Sequence, residues 1–183
     1  MPAGTYRRRL WELALDQYGY VTTANAAKLG VPAVELRKLA RRGNLDNVAR
    51  GLYRFPDAPT SGRDAFMEAV LWVGPDAALS HDAVLALHDL ASANPRTLRV
   101  VTPHRVRKTH QRPDVTIIHD RVPASDLTVY FRIPSTTVAR ALLDCRELVR
   151  TNRLLEAADE AVRQGLLLKR EYEGIVKALR GVA

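Results

Sequence analysis

Apolar positions recur at three- and four-residue intervals near the start of the chain. Leu10, Trp11, Leu13, Ala14 and Tyr18 predict an amphipathic helix over residues 5–18. Leu36, Leu39 and Ala40 repeat the pattern and predict another over residues 32–42. The outer positions of that helix are Ala33, Glu35, Arg37, Lys38, Arg41 and Arg42. A short helix starting near Ala24 precedes it, because Thr22 or Thr23 can supply an N-cap oxygen. Gly30 can take the left-handed conformation that ends the short helix, and Pro32 fits the first turn of the next. The period then changes to two. Val48, Leu52 or Tyr53, and Phe55 alternate around Arg50-Gly51, which predicts a hairpin with a basic tip. Helix, turn, cationic helix and cationic hairpin in this order predict a winged helix-turn-helix, the layout of a duplex-DNA reader.

The pattern breaks at residues 56–62, which are rich in Pro, Asp, Thr, Ser and Gly. The expected domains are therefore residues 1–58, for DNA binding, and residues 59–183. In the second, a helix over residues 63–73 is stopped by Gly74-Pro75. Ser80 is expected to cap a buried helix carrying Ala83, Val84, Leu85, Leu87 and Leu90. Runs rich in Val, Ile, Thr, Tyr and Phe predict strands at residues 98–102, 115–119 and 127–133. Pro134-Ser135 is expected to open a helix carrying Val138, Ala139, Ala141, Leu142 and Leu143. Two more helices are expected over residues 148–164 and 170–179. The fold class expected is α+β: the winged motif, followed by a small, mostly antiparallel sheet packed with helices.

Charge sharpens this picture. The chain of 183 residues carries a formal net charge of +8, unevenly spread. Residues 1–60 hold ten Lys/Arg against five acids, and residues 61–95 hold one against five. Residues 96–112 hold six Lys/Arg and two His without an acid. A polyanion would meet two basic zones, although net charge speaks to attraction and not to sequence readout. The second zone offers Arg99, Arg105, Arg107, Lys108 and Arg112 as a further contact. Arg7-Arg8-Arg9 lies at the start of the first helix and is read mainly as solvated charge.

No run of eighteen apolar residues predicts a membrane span. The N-terminus has no apolar segment or cleavage site of a secretory signal. Cys145 is the only cysteine, which fits a reducing compartment and leaves no disulfide or multi-cysteine zinc site. A cytoplasmic location is expected.

Candidate chemistry is sparse. Ser80-His81-Asp82 spells a triad in letters, but consecutive helical residues point about 100° apart, so they cannot act as nucleophile, base and orienter. His104, His110 and His119 lack metal-ligand spacing, and no phosphate-cradling glycine motif occurs. No enzymatic activity, cofactor or metal is expected.

The chain resembles the AbiEi-type antitoxins, which also act as transcriptional regulators. The likeness lies in Gly19-Tyr20-Val21-Thr22-Thr23, Leu29-Gly30-Val31, Leu36-Arg37-Lys38-Leu39-Ala40-Arg41-Arg42-Gly43 and Arg50-Gly51-Leu52-Tyr53. A second block, Ile133-Pro134-Ser135-Thr136-Thr137-Val138-Ala139-Arg140-Ala141-Leu142-Leu143-Asp144, is similar to a family segment reading threonine, then arginine-threonine-leucine-leucine-aspartate. Pro32 departs from a serine-type cap, and Ala141 from a threonine.

The resemblance implies an antitoxin that binds an inverted repeat upstream of its own operon and represses it. Its C-terminal domain would counteract a cognate nucleotidyltransferase-like toxin. Arg37, Lys38, Arg41, Arg42, Arg50 and Arg54 would contact the DNA, with two copies on the repeat as a homodimer on DNA. Some relatives continue into a nuclease domain. With the chain ending at Ala183, none is expected here. Two alternatives stay open: a toxin-binding module with only non-specific DNA binding, and an unrelated transcriptional repressor.

Overall fold

The computed structural model describes residues 3–91, 95–106 and 112–181. The chain separates into two compact units, Met1–Trp72 and Val73–Ala183. Together they are α+β, with helices and two sheets.

The first unit begins with α1 (Ala3–Leu15), then β1 (Tyr20–Thr22), α2 (Thr23–Lys28) and α3 (Ala33–Arg41). A hairpin of β2 (Asp46–Ala49) and β3 (Leu52–Arg54) follows. β3 lies between β1 and β2 in an antiparallel sheet of order β1-β3-β2. Strand β1 was not legible in the alternation, because three residues hold barely one period. Thr22 caps α2 as expected: its hydroxyl accepts from the Asn25 amide, while the Asn25 side chain accepts from the Thr22 amide. Gly30 ends the turn in the left-handed region. The core collects Leu10 and Ala14 of α1, Ala26, Leu36 and Leu39 of the helix pair, and Tyr53 and Phe55 behind the hairpin. Trp11 packs edge-on against Phe55 at 5.0 Å between centroids. α4 (Asp64–Val73) closes the unit, and its Glu68 accepts a 2.6 Å hydrogen bond from the Tyr20 hydroxyl.

The second unit contains β4 (Ala78–Leu79), α5 (Asp82–Leu87), β5 (Leu98–Thr102), β6 (Val115–His119), β7 (Leu127–Tyr130) and β8 (Ile133–Thr136). Helices α6 (Val138–Asp144), α7 (Thr151–Arg163) and α8 (Lys169–Arg180) complete it. The sheet order is β6-β5-β4-β8-β7. It is mixed and not mostly antiparallel: β5–β6 and β4–β8 are parallel, β4–β5 and β7–β8 antiparallel. The two-residue β4 enters between β5 and β8, antiparallel to the first and parallel to the second, while the other parallel pairing, β5–β6, comes from the connection over residues 103–114 that returns the chain to the same end of the sheet.

Two further expectations are corrected. The run 127–133 is not one strand. Phe131 and Arg132, both at positive φ, turn the chain, so Pro134-Ser135 continue into β8 and do not open a helix. α6 starts only after Thr137, whose hydroxyl accepts from the Arg140 amide. Ser80 does not cap α5. Its hydroxyl is buried without a hydrogen-bond partner among the described residues, and His81 occupies the cap position at φ 54°, ψ −136°.

Candidate nucleic-acid interface

α3 is amphipathic in the strict sense. Leu36 and Leu39 turn into the core, which leaves Val34, Arg37, Lys38 and Arg41 exposed at i, i+3, i+4 and i+7. They form one stripe along the outer face of the helix. Arg42, at the C-cap, extends it. Lys38 pairs with Glu35 at 2.8 Å, an exposed contact worth little in water. Among the described residues Arg37, Arg41, Arg42 and Arg50 take part in no ion pair.

The hairpin tip is held close to α2. Gly51 adopts φ +79°, and its carbonyl accepts from the Thr23 amide at 2.9 Å. A Cβ at position 51 would stand 3.1 Å from the Thr23 hydroxyl. Glycine is needed here on two counts, left-handed backbone and close approach. Arg50 is exposed beside it. The extra residue Val48 bulges the β2 side of the ladder and leaves its side chain exposed.

Arg54 behaves differently from the other five. Its side chain is 16% exposed and pairs with Asp64 of α4 at 3.4 Å. It also donates to the carbonyls of Phe55, Ala58 and Pro59 and lies over the Tyr20 ring at 5.6 Å. Arg54, expected to contact DNA, is held within the fold by these partners. Its guanidinium satisfies carbonyls where the chain leaves the sheet, a demand invisible in the local pattern. Conversely, Val34 was missed. An apolar side chain 44% exposed on a cationic stripe stands out only once the buried face is known.

Of the second basic zone, the described cations are Arg96, Arg99, Arg105 and Arg112. Arg99 pairs with Asp82 at 2.5 Å, and Arg112 pairs with Asp114, whose carboxyl it holds below the usual range. Arg105 is exposed. Arg107 and Lys108 lie outside the described residues.

Around the start of α5, charges alternate in sign. Arg140 bridges Asp144 at 2.8 Å, Asp120 at 3.3 Å and Asp126 at 3.4 Å. The His81 ring nitrogen lies 4.0 Å from Asp144, and burial lowers its pKa. Burial, reinforced by Asp82 and Asp144, pushes the Cys145 thiol up to about 12. A thiol so protonated is inert, which suits a small buried hydrophobe. Among the described residues no group of three or more His, Cys, Asp or Glu is placed to hold a metal ion. None of their helices is long and apolar enough to cross a membrane.

No curated protein matches the chain. Its fold is similar to the crystal structure of the RV2827C protein from Mycobacterium tuberculosis. That likeness has a TM-score of 0.53 at 14% identity and covers 96% of this chain and 77% of that one. At such identity the likeness speaks to fold alone. The sequence match is confined to the first unit: residues 8–56 match the family described as transcriptional regulator, AbiEi antitoxin.

Proposed function

We propose that the chain is an antitoxin-type transcriptional regulator whose first 58 residues form a winged helix-turn-helix that binds the operator of its own operon. The observation that supports this best is the α3 stripe. Arg37 and Arg41 face outward without ion-pair partners, flanked by Arg42 and by Arg50 on the hairpin, within the segment that matches the regulator family. In this reading α3 enters the major groove, and the hairpin acts as the wing on the backbone or adjacent minor groove. Arg37, Lys38 and Arg41 clamp phosphates or read base edges. Two copies occupy an inverted repeat, since a two-fold operator requires two identical readers. The second unit counteracts a nucleotidyltransferase-like toxin without enzymatic activity of its own, in the cytoplasm.

The test is a gel shift with DNA from upstream of the chain's own gene, at physiological salt and with unrelated competitor DNA. Binding that survives competition supports the operator reading. Binding that disappears with salt and competitor overturns it and favours a toxin-binding module with a merely basic surface.

A further inference from the structure

The outer stripe of α3 holds three cations, Arg37, Lys38 and Arg41, and one apolar side chain, Val34. The core does not need that valine. Leu36 and Leu39 are buried and, with Leu10, Ala26 and Val31, fill the space beneath the helix, while Val34 stays 44% exposed. The helix does not need it either, because a β-branched residue loses side-chain freedom there and favours the helix less than alanine, glutamate or arginine. Val34 stands in the first turn of α3, two residues after the N-cap Pro32. That is the end of a recognition helix whose residues meet base edges.

What a valine can meet on DNA is narrow. It has no donor to offer a phosphate oxygen or the acceptors of a base edge. In the major groove the one apolar group is the C5 methyl of thymine, and the minor groove presents none. The side chain is also suited to such a contact. A helical valine keeps almost entirely to one χ1 rotamer, so its methyls are aimed before DNA arrives and little freedom is lost on binding. Along the axis Val34 precedes Arg37 by about 4.5 Å and Arg41 by about 10.5 Å. These are roughly one and three base-pair steps of about 3.4 Å.

We infer that Val34 is a specificity-determining contact that reads the C5 methyl of one thymine in each half-site, at the end of the α3 footprint beside Arg37. This role rests on the proposed entry of α3 into the major groove. It adds what phosphate clamps cannot supply, a preference for one base that does not weaken as salt screens the backbone.

The test is a scan of the duplex from upstream of the chain's own gene, with each thymine replaced in turn by deoxyuridine. That exchange removes the methyl and leaves the hydrogen-bonding edges of the base pair intact. Binding of the full chain is followed by fluorescence anisotropy in the presence of unrelated competitor DNA. One thymine in each half-site is expected to matter, its deoxyuridine weakening wild type about fourfold, the worth of one methyl-sized group withdrawn from water. The salt slope should not change, since no phosphate contact is touched. Val34→Ala should bind the thymine and deoxyuridine duplexes alike and melt at the wild-type temperature, because the side chain is exposed. Comparing both proteins on both duplexes cancels any effect of the methyl on the DNA itself. Val34→Ile should discriminate as wild type does, and so should Val48→Ala, which alters the exposed valine of the hairpin. Operator binding that is indifferent to deoxyuridine at every thymine, or a thymine preference that persists in Val34→Ala, would overturn this contact and leave the DNA reading standing. Thymine and deoxyuridine duplexes that are both lost to competitor refute the DNA reading, and this contact with it.

Discussion

Replacing Arg54 by Met, beside a triple replacement of Arg37, Lys38 and Arg41 by Ala, separates charges proposed to meet DNA from a charge that holds the fold. Each phosphate neutralised releases counterions, and log Kobs falls against log salt with a slope of about −0.9 per contact on duplex DNA. The exposed cations Arg37, Lys38, Arg41, Arg42 and Arg50 set an upper bound of about −4.5 for one chain and about −9 for two. The triple variant should flatten the slope by up to about 2.7 per chain. Any of the three that reads a base edge would instead contribute about 1–3 kcal/mol of discrimination, and specificity would relax. Arg54→Met should leave the slope unchanged, because its guanidinium is engaged with Asp64 and three backbone carbonyls. Its cost should appear in stability, about 1–3 kcal/mol for carbonyls and a carboxylate left without their donor. The assay is fluorescence anisotropy with an operator duplex between about 50 and 200 mM salt, alongside urea melts of each protein. A slope that flattens as much for Arg54→Met as for Arg37→Ala would refute the sorting, since Arg54 would have to release Asp64 and reach the DNA.

Val34→Ser should leave the salt slope intact but lower the preference for a thymine at one operator position, by about 1 kcal/mol, in competition assays with single-base variants. Gly51→Ala should destabilise the chain by about 1–2 kcal/mol in urea, because position 51 is left-handed and faces the Thr23 hydroxyl. Burial lowers the pKa of His81 from its ordinary 6.5, so the unfolded chain binds a proton that the folded chain refuses. Stability should accordingly be lost as pH falls below 6.5 toward the depressed folded value, and His81→Asn should remove that part of the loss in parallel urea melts.

Where a structural cause lies within a few residues, it could be read along the chain. The Thr22 cap and the Leu36–Leu39 stripe are of this kind, and so are strands β5 and β6, found where alternation and β-branching put them. Features caused by distant partners could not. β4 is too short to show a period, yet it joins β5 to β8 and so makes one sheet of the parallel β5–β6 pair and the antiparallel β7–β8 pair. The Phe131–Arg132 turn has no glycine to announce it, so two strands read as one and Pro134 read as a helix start. In the candidate interface, Arg37 and Arg41 were legible because burial of one helix face dictates exposure of the other. Arg54 was not, because Asp64 lies ten residues on in another element. Val34 was passed over for a related reason: among cationic neighbours an apolar residue looks like core until the core is seen to be complete without it.

The anchoring of the Arg54 and Tyr20 side chains bears on how the chain can be cut. A piece ending at residue 58 would discard Asp64 and Glu68, stranding a guanidinium and a phenol at the base of the hairpin. Such a piece would bind DNA poorly for reasons unrelated to DNA, and a negative result with it would mislead. A piece continuing through Trp72 keeps both acids and the whole first unit, so its failure to bind would carry meaning.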